Sequence, residues 1–160
     1  MTFGMIFSII IIIAIIGVSF YAISYFLNLG KCTDVSLFYQ DFQEEVDKAW
    51  NSEIVKENYV GSLPSGIDSV CFGSLEVRGT GKEYEALADF MRTRSNVFLY
   101  PPENACNQIH AKIEHIDISE LGWHCFEVEN RKVTIPLEKG SFDALVKVKE
   151  RLKIRILQEE

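Results

Sequence analysis

Charge is missing from the first 30 residues. Lys31 is the first charged side chain, so all 16 Lys plus Arg and all 23 Asp plus Glu crowd into positions 31–160. The chain as a whole carries a formal net charge of −7. An acidic balance of that size lacks the cationic surface needed to neutralise phosphates, which argues against a nucleic-acid partner. At 48% hydrophobic residues the chain has too much to bury for a disordered protein. Other absences narrow the chemistry. No Asn-x-Ser/Thr sequon occurs, so glycosylation gives no clue to compartment. No Gly-x-Ser-x-Gly elbow is present, since Gly61-Ser62-Leu63-Pro64-Ser65-Gly66 lacks the spacing. Gly79-Thr80-Gly81-Lys82 has the look of a phosphate loop, but Glu76 and Glu83 stand where that loop needs Gly and Ser or Thr, so it reads as a turn.

What fills the uncharged stretch is hydrocarbon. Phe3 to Leu27 is uninterrupted by charge and includes the run Ile9 to Ile13 followed by Ala14, Ile15 and Ile16. As a helix it is about 37 Å long, against roughly 30 Å for the core of a bilayer. A cleaved secretory signal is the rival reading, but its apolar core is about 7–15 residues and follows a basic start. Met1-Thr2-Phe3-Gly4 has no cation. Tyr21, Tyr25 and Phe26 suit an aromatic belt at the lipid–water boundary. Residues 1–30 are therefore read as a transmembrane helix with Ile9, Ile12, Ile16 and Phe20 on its surface, and membrane lipid as a partner.

After Gly30, expected to break or kink the join, the pattern becomes amphipathic. Val35, Phe38, Phe42, Val46, Ala49, Trp50 and Ile54 recur at helical steps, with Thr33 or Asp34 as N-cap. Residues 31–60 are assigned to this helix and 61–160 to a mainly β head. Strand candidates are Ile67–Val77, Asn96–Tyr100, Ile109–Ile118, His124–Glu129, Lys132–Leu137 and Leu145–Leu157, with a short helix over Tyr84–Met91 and a hairpin turn at Glu129-Asn130-Arg131. The expected fold is α+β: an apolar helix running into an amphipathic one packed on a small antiparallel sheet.

Four cysteines, Cys32, Cys71, Cys106 and Cys125, all lie in the charged part. An even count in a short chain beside a membrane signal points to two disulfides and an oxidising compartment outside the cell. Three pairings are possible, and the near-neighbour scheme Cys32–Cys71 with Cys106–Cys125 is the one preferred here. Cys106, His110, His115, His124 and Cys125 are the metal-ligand types that cluster in sequence, but their spacing matches no common zinc arrangement. They read as disulfide sulfurs and surface histidines. No metal, cofactor or catalytic residue is assigned, and no enzymatic role. The last cations, Lys147, Lys149, Arg151, Lys153 and Arg155, alternate along one face. They would either contact an acidic face of a neighbouring copy or guard a sheet edge against unwanted pairing.

The layout of residues 5–57, an apolar half-helix followed by an amphipathic half against a disulfide-bearing β head, resembles type IV pilins and pilin-like proteins of archaea. Val70-Cys71-Phe72 and the run Gly140 to Val146 are also similar to small single-span archaeal surface proteins. Phe3 stands where a prepilin cleavage motif places Lys or Arg, and Ile9 where pilins usually carry Glu. The resemblance implies a structural subunit of a filament or envelope assembly, a homo-oligomer whose apolar helices pack together. The alternative is an individual membrane-anchored domain that binds an envelope partner.

Overall fold

A computed structural model describes residues 3–74, 78–92 and 94–150. One helix, α1 (Phe3–Asn51), runs without a break from the apolar stretch into the head. At 1.5 Å per residue it is about 74 Å long. Gly30 does not break it, and Thr33 does not cap it: the Thr33 hydroxyl donates to the Leu29 carbonyl one turn back. A glycine inside a helix costs only about 1 kcal/mol, too little to stop a helix that has strong helix-forming or packed residues on both sides.

The amphipathic part is shorter than expected. It stops at Asn51, and Val55–Ser62 is a strand, β1, where the sequence pattern extended the helix to residue 60. Val35, Phe38, Phe42, Val46 and Ala49 form the buried stripe, while Trp50 lies on its shoulder and Ile54 falls beyond the helix, exposed. Lys139 terminates α1 by donating to the carbonyls of Trp50 and Ser52, a cation at the negative end of the helix dipole.

The remaining strands are β2 (Ser69–Phe72), β3 (Val97–Tyr100), β4 (His110–Ala111), β5 (Ile116–Asp117), β6 (His124–Glu127), β7 (Lys132–Lys139) and β8 (Val146–Val148). A six-residue helix, α2 (Lys82–Leu87), and a 3-10 turn at Phe90–Arg92 replace the single helix expected over Tyr84–Met91. The described residues build two four-stranded sheets rather than one, ordered β1-β7-β8-β5 and β4-β3-β2-β6. All pairs are antiparallel except β5 with β8. Ile109–Ile118 is therefore two short strands in different sheets, separated by a turn that places His115 at φ 61°. Asn130 and Arg131, at φ 51° and 64°, make the expected turn, but it joins β6 of one sheet to β7 of the other. Of the Ile67–Val77 candidate strand, residues 75–77 lie outside the described residues, as does 151–157 of the last one.

Both sheets lay one face on α1. Tyr59, Val133, Ile135, Leu137, Val146 and Val148 come from the first sheet, and Val70, Phe72, Val97, Leu99 and Phe126 from the second. Alternation sends Cys71 and Phe98 to the opposite face of the second sheet, where Leu87 and Met91 cover them. Gly61 on β1 is required by a close approach to α1: a Cβ there would lie 2.6 Å from the Phe38 ring. The ring of Phe42 sits at the centre, so Phe42→Ala should cost about 3–5 kcal/mol. Leu37→Ala, on a side chain that is 47% exposed, should cost under about 1 kcal/mol. Denaturant unfolding of the full chain in micelles measures the contrast, and equal losses would contradict this packing.

Candidate functional site

The two halves of α1 meet different surroundings. From Val35 onward one face is sealed by the sheets, whereas Gly4 to Leu27 projects from the head with its side chains exposed all round. Ile9, Ile12, Ile16 and Phe20 are among them. The helix is long and apolar enough to cross a membrane, and none of its most apolar stretch is buried against protein. Ser8 and Ser19, the two serines among its most apolar residues, turn back to carbonyls four residues earlier, Gly4 and Ile15. Around Ser8 and Ser19 that leaves hydrocarbon outward.

The change from one half to the other is tied down by covalent and polar links. Cys32, the second residue after the uncharged stretch, is disulfide-bonded to Cys106 with Cα atoms 5.3 Å apart. Asp34, two residues on, meets the Arg131 guanidinium at 3.3 Å, and Arg131 Nε donates to the Leu63 carbonyl at 3.2 Å. Between stalk and head lies an open cleft of about 500 Å³ lined by Ser24, Phe26, Leu27, Lys31, Asp34, Pro64, Ser65 and Arg131 together with Gly30.

The second disulfide is Cys71–Cys125, across directly opposed positions of β2 and β6. The near-neighbour pairing is thus overturned. Cys71 cannot meet Cys32 because Val70 and Phe72 face α1 and Cys71, between them, faces away. The signal for this was present in the flanks: Val70-Cys71-Phe72 and His124-Cys125-Phe126 each place one sulfur opposite a core aromatic. The histidines are likewise dispersed. His110 Nδ1 is 2.8 Å from the Ser95 hydroxyl, His124 packs edge-on against Phe126, and both sulfurs of the former ligand cluster are oxidised. Among the described residues no three His, Cys, Asp or Glu side chains converge on a metal position. Gly79-Thr80-Gly81-Lys82 forms a turn against Trp123, with the Lys82 ammonium over the Tyr100 ring at 5.7 Å.

No family model, no curated protein and no solved structure matches this chain. Its geometry has to carry the functional reading alone.

At the far end of the head, His115 stacks flat on Trp50, ring centres 3.8 Å apart and planes 4° off parallel. Its Nδ1 lies 2.8 Å from an Asp47 carboxylate oxygen. The Trp50 indole N–H donates to the Ala144 carbonyl, anchoring the loop 140–145 to the end of α1. Sequence spacing gave no sign of this cluster, because its members are brought together from positions 65 and 94 residues apart by β5 and β8 folding past the helix end. In the same region Lys147 is paired with Glu120 and Asp143, both at 3.2 Å, and Lys149 with Glu120. Two cations of the alternating basic row are thus engaged within their own head, while Arg151, Lys153 and Arg155 lie outside the described residues. Deeper in, burial pushes the Tyr39 phenol far up, so its hydroxyl remains a donor to the Gln108 carbonyl.

The Lys147–Glu120–Asp143 network has a direction with pH. Hydrogen bonds from Lys149 and then Lys147 hold the Glu120 carboxyl below its ordinary value. The Gly140 N–H, and then Lys147, do the same for Asp143. Carboxyls lowered in the fold contribute stability that is complete above the ordinary carboxylate range and is lost as pH falls through the lowered midpoints. The tether on loop 140–145 should therefore loosen in acid, and again only in strong base, where Lys147, whose ammonium Asp143 and then Glu120 hold above its ordinary value, gives up its proton. Carboxyl NMR titrations check this: Lys147→Gln should raise both midpoints, and Lys149→Gln should raise that of Glu120 more than that of Asp143. Non-reducing peptide mapping tests the staples. Cys32–Cys106 and Cys71–Cys125 are the expected linked peptides, and a Cys32–Cys71 link would refute the arrangement.

Proposed function

We propose that this chain is a pilin-like structural subunit of a cell-surface filament or envelope assembly, non-enzymatic, with its head in an oxidising compartment outside the membrane. The observation that carries the reading is the single helix α1, unbroken through Gly30, with one half clamped to the head and the other exposed along nearly all its length. An anchor needs only an apolar span and tolerates a loose linker to its domain. Here the stalk is instead tied to the head within about two turns of Leu27, by the Cys32–Cys106 disulfide and the Asp34–Arg131 pair. Such a tie is what lets many copies pack stalk against stalk with their heads in register. The two disulfides support the outer compartment. Hydrocarbon on every face of the stalk suits either lipid or other stalks, so one surface serves a membrane-resident subunit and an assembled one.

A second reading, an individually anchored binding domain, is favoured by Phe3 and Ile9 standing where pilins carry a cation and a glutamate. The experiment that separates them is electron microscopy of the full-length protein isolated from its native cells, together with N-terminal sequencing of the same sample. Filaments containing this chain are the expected outcome. Replacing residues 5–24 with an unrelated apolar helix of equal length should then abolish filaments while the protein stays with the membrane. Dispersed particles from the unaltered chain would overturn the filament reading and leave the anchored domain. Ile12→Asp, which places a charge mid-stalk at a cost of about 2.5–3.5 kcal/mol, should weaken membrane association as measured by flotation.

A further inference from the structure

We infer that the cleft under the head, between stalk residues Ser24 to Asp34 and the overhang of Pro64, Ser65 and Arg131, is a seat for the phosphate group of an anionic membrane lipid. The inference rests on the proposal that α1 enters a membrane.

Three features meet there. The first is depth. Leu27 is the last residue of the uncharged run that reaches the aromatic belt, and Lys31 follows four residues later, about 6 Å higher along the axis. The headgroup layer of a bilayer is about 5–7 Å thick on each side, so Lys31 stands at phosphate depth when Leu27 stands at the hydrocarbon edge. The second is shape. Ser24, Leu27, Lys31 and Asp34 follow one another at three- or four-residue steps on the helix face that looks toward the head, and the loop at Pro64–Ser65 roofs them. A lipid beside this face cannot lie against a bare cylinder, as it can elsewhere on the stalk. Its headgroup has to occupy a concavity of about 500 Å³.

The third feature is charge. Lys31, Arg131 and Asp34 are the charged residues of the lining, a net excess of one cation in a protein whose net charge is −7. Arg131 is held in place by its Nε bond to Leu63 and its contact with Asp34, and the Arg131 side chain remains largely exposed. Lys31 makes no ion pair with a described residue, so its ammonium is available. The apolar Phe26 and Leu27 form the lower wall, where the lipid's glycerol and first methylenes would rest. An anionic phosphodiester with hydrocarbon below it matches this sequence of surfaces. A zwitterionic headgroup brings a second cation to the same place and loses the advantage.

The test uses the full chain reconstituted into vesicles of equal parts phosphatidylglycerol and phosphatidylcholine, extracted in mild detergent, with the retained lipid identified by mass spectrometry. One net cation near a phosphate is worth about five-fold in preference. Enrichment of phosphatidylglycerol of about that size is expected, reduced in Lys31→Gln and abolished in Lys31→Gln with Arg131→Gln. The single variant removes a side chain that bonds to nothing described in the head, so it keeps the test open if the double variant fails to fold. Insertion with no preference, or a preference unchanged in Lys31→Gln, would overturn the inference and leave the proposed function standing. Full displacement of the lipid by inorganic phosphate would reassign the cleft to a soluble anion and overturn it as well. Failure to insert into any vesicle would remove the membrane reading itself, and this inference with it.

Discussion

Phe42 touches both sheets at once. Its ring is 5.1 Å from that of Tyr59 on β1 and 5.9 Å from that of Phe72 on β2, with Phe38 stacked one turn below and Phe126 beyond Phe72. The line of rings runs from one sheet through the helix to the other, and the rest of the head depends on it. The chain crosses between the two sheets after β1, β4, β5 and β6, and each sheet lays one apolar face on α1. Without a helix to share, neither face is covered. Edge-to-face and offset contacts at these separations add about 0.5–1.5 kcal/mol each beyond the area they bury.

That dependence explains where the disulfides fall. Cys71–Cys125 ties β2 to β6 on the face turned away from α1, next to Leu87, Met91 and Phe98, where the smaller cluster has little apolar surface of its own. Cys32–Cys106 ties the helix to the turn after Pro102–Asn104 at the lower edge of the head, where the buried stripe begins. Closing loops of 74 and 54 residues lowers the entropy of the unfolded chain by about 4 kcal/mol each in the chain-entropy picture. A small head that leaves half of its longest element outside itself gains from such cross-links more than a larger domain would.

The head is organised along the axis of α1. At its lower edge Lys31, Asp34 and Arg131 surround a cleft with hydrocarbon beneath. At its upper end Lys139 closes the helix, His115 lies flat on Trp50, and Lys147 and Trp50 hold the loop that carries Phe142, which is fully exposed. Polar groups gather at the two ends and the rings occupy the middle. The Cys32–Cys106 disulfide at one end and the Lys139 cap at the other clamp the packed half of α1 to the head.

Sequence by itself determined the division of labour along the chain. Charge absent to Lys31 and a stripe at Val35, Phe38, Phe42, Val46 and Ala49 are one-dimensional patterns, and solvent preference reads them directly. β3, β6 and β7 were legible for the same reason, as short β-branched and aromatic runs between turn residues. Tertiary structure alone decided where α1 ends, that Val55–Ser62 is a strand, that there are two sheets, and which sulfurs meet. Lys56, Glu57 and Asn58 have no strand propensity, and they extend because all eight residues of β1 find partners on β7. The cysteine pairing followed from which face of β2 each side chain took, and a face is defined only once something packs against it. The Trp50–His115–Asp47 stack and the cleft below Arg131 were invisible for one physical reason: each is made by elements far apart in sequence that approach only after the sheets have closed on the helix.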